Sequence, residues 1–430
     1  MPAADVIQPL AEAIVGSDLP VRVECWDGSS RGPTDSGVRL RFVRRRALRH
    51  LLWEPNELGF ARAFVSGDLL IGDDMMQALS RLEAMTEPAR RLSVQTGTRT
   101  TVAALAAGLR LRAVGPRPKP PPEEMPWARR RGLHSLTRDR KAISHHYDVG
   151  NDFYRLVLGD SMVYSCAYWE QEPSPEYGLE QAQYAKLDLV ARKLGLRPDM
   201  RVLDVGCGWG GFVMHAAERY GVNAVGITLS SEQAAFARAA VAARGLADQV
   251  EIRVQDYRQV DDGPYDAIAS IGMSEHVGVA QLPIYAAGLY AQLGAGGRLL
   301  NHAISRRPEA GWEANRTSFM QRYVFPDGEL EPIAAVVEEL EGAGFEVRDV
   351  EALREHYDLT LRAWVANLEA HWDEAVALSS PGRARVWRLY MAGSALGFAS
   401  NRLGVTQVLA AKPTSRGSAK MPRTRAEMLG

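Results

Sequence analysis

The sequence predicts an α/β fold: a mostly parallel sheet with helices on both faces, joined to a smaller N-terminal domain. Three observations carry this. Short apolar runs alternate with helical stretches across residues 201–304, the pattern of parallel strands linked by crossover helices. The first run ends in an acid and three alternating glycines, Asp204-Val-Gly-Cys-Gly-Trp-Gly210, a tight turn between strand and helix. Six prolines lie within residues 116–126, a run that neither continues a helix nor joins a central strand, and they separate this region from the N-terminal part.

A chain of 430 residues exceeds one ordinary core. The expected divisions are an N-terminal domain over 1–115, a proline-rich basic linker over 116–140, the α/β domain over 141–411, and a mobile tail over 412–430 rich in Ser, Arg, Lys and Pro. In the first division, residues 20–43 alternate like strands around a turn near Asp27. Residues 73–85 read as a helix with Met75, Met76, Leu79, Leu82 and Met85 on one face, the methionines as core filler. In the α/β domain, Val202, Leu203 and Val205 make the first strand, and a helix starts near Gly211. Residues 223–230 give the second strand and feed an alanine-rich helix over 231–244. Residues 250–256, 265–271 and 297–304 give three more strands, and 398–409 complete the structure near the sheet.

The formal net charge of −1 gives no global attraction for nucleic acid. Cys25, Cys166 and Cys207 have neither metal-ligand spacing nor a disulfide pattern, so no metal is expected and a reducing compartment fits. Without a bilayer-spanning run or a basic-then-apolar start, the expected location is cytoplasmic, with peripheral contact to the inner face of the cell membrane. Basic residues crowd the domain boundary: Arg44, Arg45, Arg46 and Arg49, then Arg129, Arg130, Arg131, Arg138, Arg140 and Lys141, with Trp127, Leu133 and Leu136 among the latter. They form either a solvated face or an amphipathic surface for anionic lipid, where each cation contributes about 1 kcal/mol.

Ligands of a parallel sheet bind beyond the C-terminal strand ends. Each end here carries something polar or permissive: Asp204 with Gly206, Gly208 and Gly210; Thr228 and Ser230; Asp256; Glu275 with His276; and His302. Any one alone is as readily a cap or a turn, but their recurrence at one edge marks a site. No Gly-Lys-Ser/Thr follows the glycines, unlike a phosphate-binding loop, and the acid directly before them departs from a dinucleotide fingerprint. The second strand end lacks an acid to grip a ribose, leaving hydroxyls, backbone or Gln233 for that task.

The glycine-rich run resembles the first motif of class I S-adenosylmethionine (SAM)-dependent methyltransferases. A longer series resembles the cyclopropane-fatty-acyl-phospholipid synthase family: His145-His-Tyr-Asp-Val-Gly-Asn-Asp-Phe-Tyr154, Met162-Val-Tyr-Ser-Cys-Ala-Tyr168, Gly226-Ile-Thr-Leu-Ser-Ser-Glu-Gln233, Gly272-Met-Ser-Glu-His-Val-Gly278, Tyr323-Val-Phe-Pro-Asp-Gly328 and His356-Tyr-Asp-Leu-Thr-Leu-Arg-Ala-Trp364. The resemblance implies a Rossmann-like, seven-stranded sheet and transfer of the SAM methyl to a cis double bond of an acyl chain in phospholipid, oleoyl above all. It places cofactor contacts at Tyr164, Ser165, Gly206, Gly208, Thr228, Ser230 and Gln233, with Asp204 and Gly210 in the same turn. Tyr257 is expected to cover the adenine and Asp256 to accept from its amino group. It also implies a bicarbonate ion held by Cys166, Glu275, His302, Ile304 and Tyr357.

The chemistry agrees. An alkene attacking the sulfonium methyl becomes a carbocation, which needs shielding from water and a base for one proton. Loss of that proton from the added methyl, with bonding to the cationic carbon, closes a cyclopropane; a hydride shift along the chain before that loss leaves a methylene branch that a partner reductase then saturates. Ser274 before Glu275 and the segment 318–323 depart from many cyclopropane synthases, so a 10-methylene product is the first expectation and the ring the alternative. An ordinary methyltransferase of small polar metabolites would want a polar acceptor pocket. Residues 359–390 instead offer Leu361, Trp364, Val365, Leu368, Trp372, Val386, Trp387, Leu389 and Tyr390 for an acyl-chain cap. A nonenzymatic lipid-binding protein would need no cofactor turn and no Glu275–His302 pair. A homodimer would set two basic surfaces on one membrane and gain avidity.

Overall fold

The computed structural model describes residues 1–15, 21–34, 38–72, 74–85, 106–126, 149–308 and 317–429. The chain forms two compact units: Met1–Ala128 with Ala314–Pro326 and Leu368–Leu396, and Arg129–Glu313 with Asp327–Asn367 and Gly397–Gly430.

The smaller unit carries a four-stranded sheet of β1 (Val21–Cys25), β2 (Ser30–Arg31), β3 (Val38–Phe42) and β4 (Leu69–Ile71), in the order β2-β1-β3-β4. Alternation places Val21, Val23, Cys25, Val38, Leu40 and Phe42 in the core. Helix Glu57–Val65 starts at Asn56, whose side chain accepts from the Leu58 and Gly59 amides. The expected helix is present as Met75–Met85, with Met75 buried. The arginine run is exposed but partly engaged within the unit. Arg46 donates to the fully buried Asp68 at 2.5 Å, Arg44 lies 3.7 Å from it, and Arg49 donates to the Ala113 carbonyl.

The proline run is an extended strap of this unit. Glu124 accepts from Arg62 at 2.6 and 2.7 Å, from Tyr323 at 3.1 Å and from Arg322, while Ser380 donates to Glu123. The basic stretch 129–141, with Trp127, Leu133 and Leu136, lies outside the described residues, as do His145 to Asp148.

The larger unit is built on seven strands: β5 (Arg201–Val205), β6 (Asn223–Thr228), β7 (Val250–Val254), β8 (Tyr265–Ile271), β9 (Leu293–Arg306), β10 (Glu346–Ala352) and β11 (Leu403–Ala411). Their order is β10-β11-β9-β8-β5-β6-β7, with β9, β8, β5, β6 and β7 parallel and β11 antiparallel to both its neighbours, β9 and β10. One face packs Val202 and Ala224 against Val190, Phe212, Val213 and Ala237. The other packs Leu203, Val205 and Ile268 against Tyr285, Leu289 and Leu340. Burial on both faces explains the near-continuous apolar runs of these strands. The chain runs outward from β5 through β7 and returns to β8, so the crevice at the β5/β8 switch point is the expected ligand position.

Two expectations are corrected. The tail is folded: helix Arg425–Leu429 buries Met428, Arg192 donates to the Leu429 carbonyl at 2.9 Å, and Arg425 pairs with Asp349 and Glu351. Its polar composition concealed a few apolar anchors and a charge match. The expected cap over 359–390 is not one body, because Leu368–Leu396 belongs to the smaller unit. There Trp387, Tyr390 and Phe325 pack ring against ring.

Candidate active site

The turn after β5 is set by backbone that only glycine adopts readily. Gly206, Gly208 and Gly210 have φ of 87°, 55° and 85°. A Cβ on Gly210 would lie 3.2 Å from the Ala237 side chain, and one on Gly208 would meet nothing within 4 Å. The Gly206 and Cys207 amides donate to the Ile227 carbonyl, which locks the turn onto β6. Asp204 is buried, its Oδ1 has no hydrogen-bond partner, and burial pushes its carboxyl up to about 7.

At the end of β6 the three expected residues hold one another. Thr228 donates to Gln233 Oε1 at 2.9 Å and accepts from the Ser230 amide, and Ser230 Oγ caps the next helix by accepting from the Gln233 amide. Asp256 is held by its neighbour. Its carboxylate caps the turn Tyr257–Gln259 and is clamped by Arg258, with contacts of 2.9 Å to the amide and 2.7 Å to the guanidinium. A charge partner two residues on in sequence thus orients the carboxylate expected to meet the adenine. Tyr257 stands edge-on to Tyr285 beside the Arg258 guanidinium.

Glu275 occupies a short turn, Ser274–His276, just past β8. Because β8 ends at Ile271, opposite His302, the Ile304 amide outruns the ladder, and Glu275 Oε1 accepts from it at 2.7 Å. Glu275 Oε2 is buried and unpartnered, and burial raises the carboxyl to about 7. His302 is buried too. Its Nδ1 lies 3.2 Å from Gln407 Nε2 across the β9–β11 register, and its Nε2 has no partner. Burial first, then the charges of Lys186 and Lys193, lower its pKa to about 3, so the ring is neutral. Gln407 Nε2 facing Nδ1 fits the tautomer that carries the ring proton on Nε2. The strand edge therefore presents one buried acceptor and one buried donor, both unfilled.

Cys166 is not poised as a nucleophile. Its Sγ faces the Ala167 and Leu353 carbonyls at 3.2 and 3.6 Å, and burial holds the thiol well above its ordinary pKa. Tyr357 packs on Phe398 at 4.6 Å and Trp364 at 6.0 Å. Trp364 meets Tyr164 at 5.4 Å, Tyr164 meets Tyr154 at 5.8 Å, and Tyr154 meets Trp209 at 4.8 Å. A continuous wall of rings thus runs from the glycine turn to Tyr357.

Residues 134–408 match the family described as mycolic acid cyclopropane synthetase. The chain belongs to that family. It is 42% identical over 407 residues to a probable fatty acid methyltransferase of Mycobacterium tuberculosis, covering 94% of this chain and 93% of the relative. Among solved structures it is similar to the cyclopropane synthase MmaA2 from Mycobacterium tuberculosis, with a TM-score of 0.60 at 33% identity over 65% of this chain and 99% of that one. It is also similar to the mycolic acid cyclopropane synthase CmaA1 complexed with SAH and CTAB, with a TM-score of 0.59 at 36% identity over 63% of this chain and 97% of that one. This cyclopropane synthetase family member is a SAM-dependent C-methyltransferase with the class I fold.

Several residues of this synthetase site escaped the sequence reading. Thr360 Oγ1 accepts from the Ala167 amide and the Trp169 indole, both at 3.1 Å, and donates to the His356 carbonyl. His356 Nδ1 accepts from the Trp169 amide at 2.9 Å. Together they tie the segment bearing Tyr164, Ser165 and Cys166 to the helix bearing Tyr357. Lys186 and Gln407 were also missed. The one available signal was a polar residue inside an otherwise apolar stretch, Lys186 between Ala185 and Leu187 and Gln407 before Val408.

Proposed function

We propose that this enzyme transfers the SAM methyl to the cis double bond of an unsaturated fatty-acyl chain in phospholipid and closes a cyclopropane ring. The observation that carries it is the pair of unfilled buried atoms, Glu275 Oε2 and His302 Nε2, past the strand ends of a methyltransferase sheet whose unit also carries a wall of aromatic rings. A polar acceptor would need a polar pocket; an alkene needs a dry one and a base. The methylene product expected from Ser274 gives way to the ring, because the solved structures similar at 33% and 36% identity are cyclopropane synthases. A ring product requires no later reductase.

The glycine turn admits the cofactor closely, and the rings of Tyr164, Trp364 and Tyr357 exclude water from the cation. Their faces also favour positive charge by about 0.5–2 kcal/mol each. Glu275 is fixed through one oxygen by the Ile304 amide, which leaves the other to accept. An acceptor on Glu275 and an Nε2–H donor on His302 suit a small group with both a hydroxyl and a charged oxygen, as bicarbonate has. When bound there, bicarbonate supplies the base that takes the proton. Glu275 and His302 would hold it. Cys166 faces carbonyls instead, and the Ile304 amide acts through Glu275.

Peripheral attachment to a bilayer is part of this reading. No helix among the described residues is long and apolar enough to cross a membrane. In the smaller unit, Trp53, Leu109 and Val114 are exposed, with Arg110, Arg112, Arg117 and Lys119 exposed in the same segment. Trp53 donates to the Gly115 carbonyl at 3.0 Å, which brings the helix and the segment together. The protein should sediment with anionic vesicles more than with neutral ones. Trp53→Ser with Leu109→Ser should reduce this about tenfold or more, since buried apolar area and cations both contribute. Unchanged sedimentation would place the contact elsewhere.

The function itself is tested by incubating the protein with SAM and dioleoyl phospholipid vesicles. Mass spectrometry should show acyl chains heavier by one CH2 and a matching release of S-adenosylhomocysteine. Methyl transfer to headgroups or to added small metabolites, with acyl chains unchanged, would overturn it.

A further inference from the structure

Lys186 lies on the buried face of helix Leu179–Leu194, with 1% of its surface exposed. A buried ammonium costs several kcal/mol unless it is compensated. Among the described residues its one hydrogen bond is from Nζ to Ser165 Oγ, at 3.0 Å, and no carboxylate lies within ion-pair distance. Its charge nevertheless acts on Asp204 and Cys166. Asp204, at the end of β5, is buried with Oδ1 unpartnered. One buried cation, bound to Ser165, and one buried carboxylate, directly before the Gly206–Gly210 turn, therefore feel each other without closing into an ion pair. That arrangement is complementary to a zwitterion, the ammonium and carboxylate of an amino acid.

Ser165 gives the arrangement a direction. An oxygen that accepts from an ammonium must send its own proton elsewhere, and the charge-assisted bond makes that hydroxyl a stronger donor. We infer that Lys186 is a positioning residue for the amino-acid end of SAM: it aims the Ser165 hydroxyl at the cofactor carboxylate, opposite Asp204, which takes the ammonium. The inference rests on SAM binding at this turn and adds a residue, and a division of labour, to it.

Isothermal titration with S-adenosylhomocysteine and with 5′-methylthioadenosine, which has the same nucleoside but no amino-acid end, separates the alternatives. Lys186→Met should weaken S-adenosylhomocysteine about tenfold or more and leave methylthioadenosine unchanged. Ser165→Ala should give the same loss, and the double variant no further loss, because one residue acts through the other. Lys186→Gln, which keeps an N–H donor, should recover most of the affinity and serves if the Met variant does not fold. Equal weakening of both ligands, or losses of Lys186→Met and Ser165→Ala that add, would make Lys186 structural and overturn the inference. Failure of the unaltered protein to bind S-adenosylhomocysteine would instead strike at the cofactor site itself.

Discussion

Glu275→Gln should lower turnover by about 10²–10⁴-fold, the usual range for losing a general base, because the bicarbonate it would hold loses its charged anchor, while S-adenosylhomocysteine affinity stays within about twofold. The same substitution should change two pH dependences in opposite senses. Burial raises the Glu275 carboxyl to about 7, only partly offset by the Ile304 amide. Below that pH the group is protonated and Oε2 no longer offers a charged acceptor, so kcat/KM should fall on the acid side with a midpoint near 7. His302, held at about 3, contributes no step in that range. For stability the sign reverses. A carboxyl whose folded pKa is raised stabilises the fold below its unfolded pKa, and that contribution is lost as pH rises through about 7. The Gln variant should therefore unfold later at pH 8, by about 1–3 kcal/mol. Calorimetry across pH 5–8 and a pH–rate profile check both. An acid limb that persists in the Gln variant would assign it to another group.

Glu124→Ala should destabilise the smaller unit by about 3 kcal/mol, near the low end for breaking a buried pair because Arg62 keeps Glu54 at 3.5 Å. Burial pushes the Glu124 carboxyl up, but the hydrogen bonds and charges of Arg62 and Arg322 outweigh it and hold the carboxyl below its ordinary range. With a lowered folded pKa, its contribution is present above the unfolded carboxyl pKa and is lost as pH falls through the folded one. The variant should thus melt earlier at pH 7 and lose its difference from the parent in strong acid. Limited proteolysis should then cut the 116–126 strap first. A melting temperature unchanged at pH 7 would mean that the strap is not held by this carboxylate.

Strands β5 to β9 were legible because burial on both faces forces unbroken apolar runs. Strand β10 was not, because Glu346-Val-Arg-Asp-Val-Glu-Ala352 is an edge strand whose charges alternate with apolar residues. Glu275 and His302 were visible as polar residues at strand ends. Their partners were not. Gln407 meets His302 only through the antiparallel register of β11 on β9, and Thr360 meets Ala167 across nearly two hundred residues. The Asp256–Arg258 pair was hidden too, since residues two apart at a strand end need not meet. The smaller unit's claim on Leu368–Leu396 was hidden as well, since a buried tryptophan reads the same whichever core receives it.

The most direct test of the central claim is proton NMR of the acyl product made from SAM and dioleoyl phospholipid vesicles. Ring closure, proposed from the likeness to solved cyclopropane synthases, predicts upfield cyclopropyl methylene signals and no vinylidene signals. Vinylidene protons without cyclopropyl signals would contradict ring closure and show that a hydride shift along the chain precedes loss of the methyl proton.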